Sequence, residues 1–196
     1  MAFVDDYTAW IVGDSAERNT RRIQREILPQ LEKWERESGA VFESSKTAFI
    51  HFNRSYSTLR DSDMPLQFKR DTIDPSQSVK ILGVIMDQGL RYKEHVAGKA
   101  DKAFKAALAL KRLQGLRPSC MRQLFLATVA PVMDYASPIW YFAASDKTLT
   151  MLERAQRVAA QAIVGGFRTM GLNAAVMEAG IAVSYTHLTL PTNREV

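Results

Sequence analysis

The chain has 196 residues, 46% hydrophobic and 24% charged, which suits one generous domain or two small ones with a buried core. Its formal charge of +5 leans toward a polyanionic partner without requiring one. The single cysteine, Cys120, excludes an internal disulfide framework. His51, His95 and His187 are too scattered for a zinc site, so each reads as a surface or packing residue. No apolar run approaches the ~20 residues that span a bilayer, and Asp5 and Asp6 stand where a secretory signal would carry base. The expectation is an intracellular protein of cytoplasm or nucleus, neither secreted nor membrane-bound.

Residues 2–4 and 8–12 are short apolar stretches parted by Asp5-Asp6-Tyr7, and they predict two strands joined by a tight acidic turn. Asp14 or Ser15 can then cap a helix. Along it Ile23, Ile27, Leu31 and Trp34 recur at spacings of four, four and three. Pro29 should kink or split that helix, and Gly39 should end it. Residues 42–52, FESSKTAFIHF, predict a strand with Phe49 and His51 on one face and Ile50 and Phe52 on the other. Residues 53–63 read as a polar loop. Residues 66–73 and 79–86 read as further strands, parted by Asp74-Pro75-Ser76.

From about His95 the pattern is helical only. Val96, Ala100, Ala103, Ala107 and Leu110 form an apolar stripe, with Lys102, Lys105 and Arg112 opposite it and Lys99 and Lys111 at its edges. Such a face is either simply solvated or a track for phosphates. Arg117-Pro118-Ser119 restarts the helix, and Pro131 should bend it. Residues 138–142, PIWYF, read as core packing because no basic residue interleaves them. A last helix from Lys147 carries Leu149, Leu152, Ala155, Ala159 and Ile163, with Arg154, Arg157 and Arg168 along a basic edge. The fold class is α+β: a mixed front and an all-helical back, with the boundary somewhere in residues 75–95.

Adjacent carboxylates on a tight hairpin repel, and divalent cations would supply the missing charge. Alone, an aromatic-x-Asp-Asp string is also a common bland turn. Its surroundings are more specific. FVDDYT, then LEKW and SG, then the Lys-Thr stretch, then VKILGVIMD, resemble the reverse transcriptase of non-LTR (LINE-like) retrotransposons, an RNA-directed DNA polymerase. RQLFLATVAPVMDYASPIWY and LERAQRVAAQAIVGGFRT look like helical segments that follow the polymerase core in the same elements.

That resemblance implies a partial polymerase palm over residues 1–78. Residues 79–182 would be the palm–thumb junction and a thumb-like helical region. It implies two-metal nucleotidyl transfer with Mg²⁺, or Mn²⁺, held by Asp5 and Asp6. Phe3 would pack under the hairpin, and Lys46 would lie near the incoming nucleotide's phosphates, unless it is an exposed strand lysine. Gly39, Leu82 and Gly83 are motif positions, Gly83 allowing close backbone packing. Lys99, Lys102, Lys105, Lys111 and Arg112 would grip the duplex of RNA template and DNA primer, with deoxynucleotides as substrates.

The fingers and the palm strand with the first catalytic aspartate would precede Phe3, and Asp87 and Asp134 do not replace that aspartate. The expectation is therefore a fragment inactive by itself. Two alternatives are a non-catalytic basic helical module that binds nucleic acid and a degenerate relic. Residues 183–196 resemble a translated library adaptor and are expected to be non-native, so His187 is assigned no role.

Overall fold

The computed structural model describes residues 2–3, 6–53, 64–113 and 115–181, with side chains from Asp6 onward. The predicted loop at residues 53–63, apart from Asn53, and the tail at 183–196 lie outside them. The architecture is α+β, small antiparallel sheets with helices, as the sequence predicts. Two units divide the chain. Met1–Ile81 and Asp87–Leu90 form the first, and Leu82–Met86 and Arg91–Val196 the second.

In the first unit β1 (Ala2–Phe3) pairs antiparallel with β2 (Asp6–Tyr7), Ala2 facing Tyr7 and Phe3 facing Asp6. Asp6 therefore belongs to the second strand and not to the turn. Residues 8–12, predicted as a strand, form none. No described strand runs beside them to complete a ladder, and Trp10 and Val12 are 65% and 85% exposed.

Helix α1 (Ala16–Arg22) is capped by Ser15, whose hydroxyl accepts the Arg18 N–H at 3.5 Å. The helix then widens into a π segment, Ile23–Ile27, and continues as α2 (Leu28–Ser38). Across the wide turn the Leu28 N–H reaches back to the Ile23 carbonyl. Pro29 enters in the first turn of α2, so the segment before it absorbs the irregularity that a proline without an N–H imposes. The same turn re-phases the apolar stripe. Leu28, absent from the predicted pattern, is buried, Ile23 and Leu31 pack beside it, and Trp34 is left half-exposed. Gly39 closes α2 with φ +74° and donates its N–H to the Glu35 carbonyl.

Residues 42–52 contain no strand. Ser44–Lys46 makes a 3₁₀ turn, and the backbone bonds at Phe49 and Asn53 (to Ser76 and Gln88) are too widely spaced for a ladder. Phe49 still turns inward, 4.7 Å from the His51 ring, and joins Leu28, Leu66 and Phe68 in the core.

The predicted strand at 66–73 is a hairpin instead. Strand β3 (Leu66–Phe68) pairs with β4 (Asp71–Ile73), Leu66 facing Ile73, and Lys69 takes φ +57° at the turn. The predicted strand at 79–86 is likewise two, β5 (Ser78–Ile81) and β6 (Val84–Asp87), around Leu82 and Gly83 at φ +45° and +82°. In both runs, a positive φ breaks what composition makes look continuous.

One ion pair ties this unit together. Lys69 donates to Glu35 at 2.7 Å and to the Phe42 carbonyl at 2.5 Å, and Glu35 also accepts the Phe42 N–H. The hydrogen bond from Lys69 holds the Glu35 carboxyl below its ordinary range. Helix α2, the segment after it and the β3–β4 hairpin thus share one salt-bridged node.

Beyond the β6 residues Val84–Met86, the second unit is helical: α3 (Lys93–Arg112), α4 (Pro118–Thr128), α5 (Ala130–Asp134), α6 (Ser137–Trp140), α7 (Asp146–Val164) and α8 (Leu172–Ala179). All five residues of the predicted α3 stripe are buried, as are Leu152, Ala155, Ala159 and Ile163 of the α7 stripe, while its Leu149 is only half-buried. Helix α7 is the main partner of α3, and α8 covers α7. The alanines on both facing stripes let the two long helices approach closely. The bend expected at Pro131 falls at Val129, between α4 and α5. Of the aromatic patch at 138–142, Trp140 alone is fully core; Ile139 and Phe142 are 49% and 80% exposed. The short α6 has one inward face, so the neighbours of Trp140 are turned to solvent.

Enlarging the fully buried Ala103 or Ala159 to Leu should therefore overpack the helical unit and destabilise it by about 1–3 kcal/mol. The exposed Ala97→Leu should change stability little. Thermal melts followed by circular dichroism would check both.

Candidate functional site

Of the hairpin carboxylates, Asp5 lies outside the described residues, and Asp6 is exposed in β2 opposite Phe3. Tyr7 follows it, its ring 5.9 Å from Phe42, which in turn stands 5.4 Å from Trp34. This aromatic row anchors the hairpin to the α2 end of the first unit. Among the described residues no three His, Cys, Asp or Glu side chains stand together as a cation site.

Lys46 lies in the 3₁₀ turn, not on a strand, and its ammonium bonds Glu43 at 2.6 Å. The hydrogen bond it donates to Glu43 raises the Lys46 pKa, so Lys46 is a firmly protonated, exposed cation. Gly39 is the helix stop, and the backbone of Phe3 forms the first strand.

The basic residues of α3 divide by what they touch. Lys99 sets its ammonium 3.8 Å from the centre of the Tyr135 ring, a cation–π contact. Lys105 pairs with Asp101 at 2.7 Å, one helical turn away. Lys102, Lys111 and Arg112 are exposed and form no ion pair with a described residue. On α7, Arg154 lies over Phe104 at 4.4 Å, joining its charge to the α3 surface. Of the five predicted cations, Lys102, Lys111 and Arg112 thus face solvent without a described ion-pair partner, Lys105 is exposed but shares its charge with Asp101, and Lys99 is engaged with Tyr135.

A second node was not visible in the sequence, because its partners lie far apart along the chain. The Tyr135 hydroxyl donates to the Leu82 carbonyl at 2.7 Å, 53 residues away. Gly83 follows with φ +82°, and a Cβ there would stand 2.9 Å from the Tyr135 hydroxyl oxygen. Leu82, expected inside a strand, is thus a turn residue with its carbonyl clamped. Nearby, His95 is buried, and its Nδ1 accepts the Ile85 N–H at 3.2 Å. Trp140 donates through Nε1 to the Tyr135 carbonyl at 2.8 Å, and its ring centre is 6.0 Å from that of His95. Burial, then the neighbouring Lys99 charge, push the His95 pKa down; the Tyr135 carbonyl opposes them in part.

The geometry of this node separates two costs. Gly83→Ala should destabilise the helical unit by roughly 1–3 kcal/mol, from a residue with a side chain at positive φ plus the close approach. Tyr135→Phe should cost about 0.5–1.5 kcal/mol for one lost hydrogen bond, toward the low end because Tyr135 is part-exposed. In a Tyr135→Ala background, Gly83→Ala should cost less, since only the backbone part remains. Denaturant melts of the unaltered chain, Gly83→Ala, Tyr135→Ala and their combination would read this coupling, and a melt of Tyr135→Phe the hydrogen bond.

Over 152 residues the chain is 30% identical to the retrovirus-related Pol polyprotein from type-1 retrotransposable element R1 2 of Nasonia vitripennis. Over 151 residues it is 25% identical to the putative 115 kDa protein in type-1 retrotransposable element R1DM of Drosophila melanogaster. Each match takes in 71% of this chain but 35% and 14% of those relatives, so the chain spans about a third and about a seventh of their lengths. No family model and no solved structure matches it. The chain is a retrotransposon-related protein.

Proposed function

We propose that the chain is a segment of the RNA-directed DNA polymerase of a non-LTR retrotransposon. Residues 1–78 would come from the later part of the palm, and residues 79–182 from the palm–thumb junction and the helices beyond it. The observation that carries this reading is the similarity to the R1 Pol polyprotein along 152 residues. The ordered blocks around Phe3-Val4-Asp5-Asp6, Lys46-Thr47 and Lys80-Ile81-Leu82-Gly83-Val84 agree with it.

In the whole enzyme Asp5 and Asp6 would hold Mg²⁺ or Mn²⁺, which would activate the primer hydroxyl and stabilise departing pyrophosphate. What this chain's residues would contribute by themselves is grip on a template–primer duplex. Lys102, Lys111 and Arg112 are exposed cations of the predicted basic face suited to phosphate contact, because their charge is not shared with a described carboxylate. Lys99 would support the surface from its place over Tyr135.

The chain should bind an RNA/DNA hybrid with an affinity that falls steeply with salt. Reversing Lys102, Lys111 and Arg112 to Glu should weaken binding and flatten the salt slope by roughly three, about one per lost phosphate contact. Affinity and slope unchanged by the triple substitution would remove this role for the face. For catalysis, the whole polyprotein carrying this segment is the object to assay. Primer extension lost in Asp5→Asn or Asp6→Asn, with hybrid binding retained, is the expected result; undiminished extension would overturn the assignment.

A further inference from the structure

We propose that His95 is a pH-operated latch, its Nδ1 holding the Ile85 amide, and with it the Leu82–Met86 segment, only while the ring is neutral. A neutral imidazole has one donor nitrogen and one acceptor. Because Nδ1 accepts the Ile85 N–H at 3.2 Å, the ring proton resides on Nε2, which is buried and makes no hydrogen bond to a described residue. Adding a second proton would turn Nδ1 into a donor pointed at another donor. The bond would then be repulsive, in a site where His95 is 2% exposed.

Nothing around the ring accommodates that charge well. From its own helix, Lys99 repels it. From the corner after α5, the Tyr135 carbonyl, which also accepts from Trp140, favours it, but less than burial and Lys99 oppose it. From α6 the Trp140 ring faces it, and from β6 comes the Ile85 N–H itself. The remaining outlet is separation of Ile85 from α3. The Tyr135–Leu82 bond also fastens this segment, so the latch releases one tie and leaves that one in place.

The direction of the effect follows from the depressed folded-state pKa. Protonation favours the opened state, so the tie is intact above the ordinary histidine range. It weakens as pH falls below that range, until the folded-state pKa is reached.

The test is amide hydrogen exchange of Ile85 in the full chain, from about pH 8 to about pH 5, corrected for the intrinsic exchange rate. Protection should fall by about tenfold per pH unit below the ordinary histidine range. The Val96 amide, bonded to the Tyr92 carbonyl, should hold its protection. In His95→Asn the side-chain oxygen can take the place of Nδ1 but does not titrate, so Ile85 protection should become flat with pH. A flat profile in the unaltered chain, or the same fall in both chains, overturns the proposal. Should the variant not fold, ring ¹⁵N shifts in the unaltered chain decide it. His95 gaining its proton in step with Ile85 exposure supports the latch, and titration that leaves Ile85 unmoved sinks it.

Discussion

How closely α3 and α7 can approach governs the helical unit. Ala100, Ala103 and Ala107 on one helix and Ala155 and Ala159 on the other are buried, and residues this small bring two backbones together with little side chain between them. Helix α8 is laid against α7, α5 against α3, and α4 against both, so their positions derive from that first contact. The bulk that fills such a unit comes from its margins. Met121 and Phe125 enter from α4, Met133 from α5 and Trp140 from α6. In the strand-bearing unit the corresponding role falls to an electrostatic tie, Glu35 with Lys69, around which short and irregular segments are arranged.

This contrast explains which parts of the fold could be read in advance. A long helix repeats its signal every turn, so five stripe positions of α3 identified its buried face correctly. Gly39 and Pro29 worked as punctuation for the same local reason. The strands did not read through. Lys69 and Leu82 adopt positive φ without the Asn-Gly or Asp-Gly pairs that announce a hairpin, so two hairpins look like two strands. Residues 42–52 have strand composition, but strands exist only with partners, and composition names no partner.

The candidate site was legible to a similar degree. The residue types of the acidic hairpin and the basic helix face are plain from sequence, as is the family resemblance that links them. What each charge touches is not. Nothing local says that Lys99 lies over an aromatic ring while Lys102, at the next turn, faces solvent. His95 could be read only as surface or packing. Its hydrogen bond to Ile85, ten positions back along the chain, is a property of how the helix docks.

The π segment at Ile23–Ile27 has a consequence for length variation. Ile23 and Leu28 are five apart and yet bonded across one turn, so the segment holds one residue more than an α-helix would need. Losing one residue there would convert the wide turn into an ordinary one and leave the two side chains on the same face. The same loss in the middle of α3 would rotate everything beyond it by about 100° and carry Ala107 and Leu110 off the buried stripe. Single-residue deletions should therefore be absorbed between α1 and α2 and rejected within α3. The chain thus contains, in one polypeptide, a helix that can change length and a helix that cannot.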